Sequence, residues 1–254
     1  MADPLYGVWI KIERANHHIT DLDAEIRRFL ERRPYTVVGE MDAEARPTYR
    51  ISNMEPINPT ILAITGDAIQ NLRAALDYLA CSLWSRANSG ECKICFPISD
   101  SATKYKSEGL RKVKGIGKDA IKEISAIEPY YGGKGEMFWR LHRLSIIDKH
   151  RLPLTVAGAN LGVHLPSLYP EMFPESAKSN PWILGVGEMR CPLKDKDILF
   201  RDEAGRELKE NLQFPFFIAL NEVGIFNCQP LIPTLKNMAD SIRNIALSFG
   251  PLFI

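Results

Sequence analysis

The sequence predicts an α+β fold: a helical bundle core with an antiparallel β-sheet formed by an early hairpin and C-terminal strands. Three observations lead there. Apolar residues recur at helical spacing over 6–33, 59–87 and 233–249. Two β-favouring runs, Tyr35-Thr36-Val37-Val38 and Thr48-Tyr49-Arg50-Ile51, flank a polar stretch from Asp42 to Pro47. Beyond Pro153 the pattern turns β-like at 154–158, 182–191, 196–201 and 214–222, broken by Pro and Gly. An isolated hairpin is marginal in water, so the later strands are expected to complete its sheet within one domain, 1–254.

Composition agrees with a packed core. The chain has 254 residues, 45% hydrophobic and 25% charged, which needs neither a disulfide nor a metal to fold. With 32 basic and 31 acidic side chains, the formal net charge of +1 excludes a global basic field for nucleic acid and leaves only local patches. Met1-Ala2-Asp3-Pro4 lacks a secretory signal, and no stretch has the length and apolarity of a membrane span, so a cytoplasmic protein without membrane contact is expected.

Each element has its own reason. Val8, Ile12, Ala15, Ile19, Leu22, Ile26, Phe29 and Leu30 form the apolar stripe of a long first helix that ends before Pro34. Asn58-Pro59 supplies an N-cap and a first-turn proline for the second helix. A lysine-rich stretch (103–118) and a short helix (118–127) follow, then a turn at Pro129 to Gly135 and a helix over 136–151. The loop 160–181 carries four prolines, and Leu235, Met238, Ile242, Ile245 and Phe249 mark the last helix.

The five cysteines, Cys81, Cys92, Cys95, Cys191 and Cys228, are odd in number and widely spread, so mostly free thiols are expected. Cys92 and Cys95 form a C-x-x-C. No second pair follows to complete a zinc site, and Phe96-Pro97-Ile98 reads as extended rather than as the helix a redox pair would start. No metal and no cofactor is expected.

The second helix is unusual on its polar side. Asp67, Gln70, Asn71, Arg73, Asp77 and Tyr78 share it with Ala74 and Cys81, and no Lys or Glu occurs from Pro56 to Gly90. A solvated face usually carries long flexible charges, so short polar groups among small residues predict a second buried contact. Arg73 and Asp77, four apart, can pair. In the helix 136–151, Phe138, Trp139, Leu141, Leu144, Ile146 and Ile147 surround Arg140, His142, Arg143, Asp148, His150 and Arg151. Lys149, His150 and Arg151 suit a helix C-terminus, whereas a carboxylate is unfavourable there. Asp148 is therefore expected to be buried and paired, with Arg73 or Arg151 as partner, and the polar faces of these two helices are expected to meet.

The residues Gly66-Asp67-Ala68-Ile69-Gln70-Asn71-Leu72-Arg73-Ala74-Ala75-Leu76-Asp77, Phe96-Pro97-Ile98, Glu128-Pro129-Tyr130 and Ile147-Asp148-Lys149-His150-Arg151 resemble a family of uncharacterised bacterial proteins over most of the chain. That family carries His where this chain has Gln70 and Tyr78, and implies no activity. Arg143 followed by six residues and His150 resembles the HEPN family of ribonucleases, many of them toxins or defence effectors. This resemblance implies RNA as substrate, metal-independent cleavage and a homodimer, with Arg143 and His150 acting on the scissile phosphate. Guanidinium can stabilise the developing charge, and His can exchange a proton near neutral pH. Arg73, Asp77 and Asp148 would orient the pair. The alternative is a non-catalytic binding protein in which the same residues form a structural network.

Leu110 to Ile121 looks like a helix-hairpin-helix, with Gly115-Ile116-Gly117 at its turn and one residue fewer after the second glycine than is usual. It would offer Lys112, Lys114 and Lys118 to a nucleic-acid phosphate; a solvated basic loop explains the same residues. No Walker loop, G-x-G-x-x-G after a strand, H-E-x-x-H or G-x-S-x-G occurs, which disfavours nucleotide hydrolysis, dinucleotide redox chemistry, zincin proteolysis and α/β-hydrolase chemistry.

Overall fold

In a computed structural model of the chain, the residues described are 3–150, 156–160, 171, 191–201 and 216–253. Where one domain was expected, the chain falls into two compact units, both discontinuous in sequence. The first comprises 1–24, 59–154 and 232–254, the second 25–58 and 155–231. The α+β class holds, with antiparallel sheets built from the early hairpin and later strands.

The first unit is helical. It takes the beginning of α1 (Tyr6–Glu31), then α2 (Pro59–Ser85), α3 (Ala102–Ser107), a 3-10 turn (Gly109–Val113), α4 (Lys118–Ile127), α5 (Glu136–His150) and α6 (Leu231–Phe249). The α1 stripe Val8, Ile12, Ala15, Ile19 and Leu22 is buried, as are Ile61, Ile69, Leu72, Leu76, Leu79 and Leu83 of α2 and Leu235, Met238 and Ile242 of α6. Each set recurs every three or four residues, so each helix buries one face. In α5, Phe138, Trp139, Leu141 and Leu144 are buried while Ile146 and Ile147 are only half-buried. No helix among the described residues is long and apolar enough to cross a membrane.

Among the described residues, the second unit holds two three-stranded antiparallel sheets. In one, β1 (Thr36–Met41) pairs with β2 (Pro47–Ser52) from Thr36 opposite Ser52 to Met41 opposite Pro47, and β2 pairs with β4 (Ile198–Arg201). The hairpin thus obtains its third strand from the later segment, as predicted. Its loop is organised by Asp42, whose carboxylate accepts from the Glu44 and Arg46 amides at 3.0 and 2.8 Å. Tyr49, almost wholly buried, stacks on Phe200. The other sheet orders β3 (Val156–Asn160), β5 (Phe216–Leu220) and β6 (Gln229–Pro230). All but the last residue of the expected strand over 182–191, most of the 160–181 loop and Arg151 lie outside the described residues.

The cysteines correct the sequence expectation. Cys81 is bonded to Cys92 in the first unit and Cys191 to Cys228 in the second, leaving Cys95 free. Cys92 therefore pairs across to α2 and not with Cys95 in its own C-x-x-C. Spacing alone cannot reveal that Cys81 comes within bonding reach, since this depends on the chain doubling back after α2.

The basic stretch is not two helices around a hairpin. Residues 109–113 form only a short 3-10 turn, and Gly115 and Gly117, at φ of 98° and 91°, lead into α4 with Gly117 as its N-cap. Both glycines occupy the left-handed region that other residues enter at a cost. Lys114 and Lys118 are exposed, and their side chains make no hydrogen bond or ion pair with any described residue.

Candidate functional site

The polar faces of α2 and α5 meet, in two layers. In the first, Gln70 Nε2 donates to the Ser145 carbonyl at 3.0 Å and to Asp148 Oδ2 at 2.7 Å, while Ser145 Oγ donates to Gln70 Oε1 at 2.9 Å. Asp148 is therefore paired, as expected, with Gln70 where Arg73 was one expected partner; the other, Arg151, lies outside the described residues. Close approach allows this. A Cβ on Gly66, one turn before Gln70, would lie 2.2 Å from Asp148 Oδ1. Gly66→Ala is accordingly expected to lower stability by about 1–2 kcal/mol, because displacing a bonded carboxylate outweighs the roughly 1 kcal/mol by which Ala favours a helix. Thermal melting checks this, and an unchanged or higher Tm would contradict it.

In the second layer Arg73, 8% exposed, reaches both ways. Its Nε donates to His142 Nδ1 at 3.2 Å, and its Nη1 lies 2.8 Å from Asp77 Oδ1. That Nη1 is close enough for an ion pair but off the hydrogen-bonding line, and it has no hydrogen-bond acceptor among the described residues. Asp77 Oδ1 also accepts the Phe96 amide at 2.9 Å, which ties the segment after the C-x-x-C to α2. The residue types follow from position: 66, 70, 73 and 77 form one stripe of α2, and 142, 145 and 148 face it from α5.

Next to this network a cleft of about 210 Å³ opens, lined by Ile98, Ser99, Asp100, Lys104, Glu108, Lys112, His142, Arg143 and Ile146. Asp100 Oδ1 accepts from Trp139 Nε1 at 3.2 Å, and Lys104 Nζ lies 3.5 Å from Asp100 Oδ2. The Trp139 bond and then Lys104 hold the Asp100 carboxyl below the usual carboxylate range, so it stays ionised. Lys112 Nζ donates to the Ile98 carbonyl at 3.1 Å. Arg143 is exposed, and its side chain makes no hydrogen bond or ion pair with any described residue.

His142 is held neutral near pH 7. Burial, with the positive charges of Arg73, Lys112 and Arg143, pushes its pKa down to about 4, against a small opposing effect of Asp100. Because Nδ1 accepts from a guanidinium that never deprotonates, the neutral ring carries its proton on Nε2. His142 thus presents an uncharged N–H donor among cations.

Of the residues singled out from sequence, Arg143 and Lys112 line this cleft, and Arg73 touches it through His142. Asp77 and Asp148 belong to the helix-packing network. His150 is exposed at the end of α5 and does not line the cleft, and neither do Lys114 and Lys118. Sequence reasoning missed His142 and Asp100 as site residues. For His142 a signal existed, since it occurs one turn before Ser145 on the stripe facing Arg73; for Asp100 none did, because the chain segment that carries it meets α5 only through tertiary packing. Among the described residues, no group of three or more His, Cys, Asp or Glu side chains is placed to hold a metal ion. Comparison of the chain with protein-family models, with curated proteins and with solved structures finds no match in any of the three.

Proposed function

We propose that the protein recognises a phosphodiester group of RNA in the cleft of Lys112, His142 and Arg143, without catalysing a reaction there. The observation that carries this reading is a guanidinium with no hydrogen-bond or ion-pair partner among the described residues, beside an imidazole held neutral with its proton on Nε2. Arg143 can give two charge-assisted hydrogen bonds to phosphate oxygens, and His142 one neutral bond. With Lys104 and Asp100 counted as a neutral pair, Lys112 and Arg143 oppose Glu108 alone, leaving a net charge of +1 in the cleft. At about 210 Å³ the space is smaller than the ~300–1,000 Å³ that enclose a whole small molecule, which suits one group of a larger ligand. His142 cannot act as a general base near pH 7 through Nδ1, which is occupied by Arg73.

Binding to a mixed RNA pool is expected to weaken about 10–100-fold in Arg143→Gln, the usual worth of charge-assisted bonds, and to weaken with added salt. Glu108→Gln should act the other way and tighten binding a few-fold, roughly by removing one repulsive charge near the phosphate. Fluorescence anisotropy at two salt concentrations measures both. Equal affinity of all three proteins would reject the cleft as the site.

A second reading, metal-independent ribonuclease action by Arg143 and His150, is favoured by one observation: both side chains are exposed on the same helix. The same RNA pool, incubated with chelator, separates the two. Cleavage lost in His150→Ala supports the nuclease, with Arg73, Asp77 and Asp148 orienting the pair; binding without cleavage supports recognition. The homodimer that the nuclease reading implies is tested by sedimentation.

A further inference from the structure

The disulfide of the first unit is placed to control this cleft. Cys92 begins the segment 92–100, whose far end supplies Ile98, Ser99 and Asp100 to the cleft wall. Midway, the Phe96 amide donates to Asp77, the partner of Arg73, which in turn holds His142. Phe96 is fully buried, and Ser99 bridges to Tyr130, so the later half of the segment is anchored in the core. The earlier half is different. Over 87–95 no residue is fully buried, and among the described residues its anchors apart from the disulfide are Asn88, which donates to the Trp84 and Gly115 carbonyls, the Ala87 amide bond to Trp84, and a weak Cys81 contact to the Ile94 carbonyl.

The two disulfides also differ in access. Cys81 lines an open groove of about 620 Å³ together with Tyr78, Ser82, Ser85 and Arg86, and both Cys81 and Cys92 are half-buried. In the other bond Cys191 is half-buried but Cys228 is 3% exposed. Attack by an external thiolate needs an approach to sulfur, so the first bond, half-buried at both cysteines and bordering an open groove at Cys81, is the more accessible to a reductant.

We infer that Cys81–Cys92 is a redox-sensitive clamp that sets the affinity of the cleft. A dithiol reductant attacks one sulfur as thiolate and breaks the S–S bond, forming a mixed disulfide; its second thiol then displaces the protein sulfur. Two electrons and two protons pass to Cys81 and Cys92, and the reductant leaves as its own disulfide. Freed from α2, residues 87–95 loosen, the Phe96 to Asp77 bond opens more often, and Arg73 holds His142 less firmly. Phosphate binding then requires ordering that the clamp had already supplied. The affinity effect rests on the recognition reading above; the loosening does not.

Purified full-length protein, oxidised or treated with a dithiol, is compared by mass spectrometry, titration of inorganic phosphate, amide hydrogen exchange at Phe96, and the ring signals of His142. Expected are an oxidised Cys81–Cys92 bond, faster exchange at Phe96 and a shifted His142 ring after reduction, and phosphate affinity lower by about 5–10-fold, a common size for coupling between sites. The double variant Cys81→Ser, Cys92→Ser should show the reduced behaviour with or without dithiol, while Cys191→Ser, Cys228→Ser should keep the response. Absence of the bond in the oxidised protein, unchanged Phe96 and His142 signals on reduction, or global unfolding of the reduced protein would each overturn the clamp. If neither form binds phosphate yet Phe96 and His142 respond, the recognition reading and the affinity effect fail together, while the redox-controlled loosening stands.

Discussion

Arg73→Met is expected to lower the stability of the fold by about 1.5–3 kcal/mol, the usual worth of hydrogen bonds to a buried charged group whose ion-pair partner, Asp77, is partly exposed. The guanidinium is almost wholly buried and serves both helices, bonding His142 on α5 and lying against Asp77 on α2. Methionine fills much of the same volume, so the loss measures the interaction and not a cavity. Removing the charge also takes away both the repulsion and the hydrogen bond that hold His142 neutral, so the His142 pKa should rise. Denaturant unfolding gives the stability and proton resonance titration the pKa. A loss below about 1 kcal/mol, as for an exposed pair, would show that Arg73 does not hold the two helices together.

Acid will destabilise the protein through His142 before most carboxylates are protonated. In the folded state its pKa is about 4, below the ordinary 6.5 of an unfolded histidine. As pH falls the unfolded chain therefore takes up the proton first. The stability that a neutral His142 contributes is complete above about pH 6.5, is lost between 6.5 and 4, and does not change further below that. The groups facing the ring are Arg73, Lys112 and Arg143, which oppose its protonation, and Asp100, which favours it. Allowing for screening by water at a partly exposed ring, the loss is on the order of 2 kcal/mol. His142→Gln keeps an acceptor for Arg73 and does not titrate, so subtracting its stability profile from that of the parent isolates the effect. Parallel profiles between pH 7 and 4 would mean that His142 is not held neutral by its surroundings.

Much of the bundle was legible because a repeating pattern is redundant. Val8, Ile12, Ala15, Ile19 and Leu22 state the same buried stripe five times, and Asn58-Pro59 marks the start of α2 independently of it. The unusual polar side of α2 could be read for a related reason: absent Lys and Glu over a whole helix cannot be explained by solvent, so a second packing surface had to be there. What that surface touches was not legible. Asp148 was expected against Arg73, yet Gly66 lets α5 approach so closely that Asp148 meets Gln70 first, and Arg73, one turn on, turns to His142. Likewise the motif of Arg143 and His150 pointed at the exposed end of α5, while the histidine beside Arg143 in the cleft is His142.

By itself, then, the sequence determined the α+β class, the helices expected over 59–87 and 136–151 and observed over 59–85 and 136–150, the hairpin that needed a later strand, and the meeting of two polar helix faces. These depend on local periodicity, capping and the cost of burying unpaired polar groups, all of which are written along the chain. Only the tertiary structure decided that the chain falls into two compact units, that Cys81 bonds Cys92 and Cys191 bonds Cys228, and that Asp100, Lys112, His142 and Arg143 share a cleft. Those outcomes depend on how closely separate segments approach, and a difference of one helical turn or one missing Cβ changes which side chains meet.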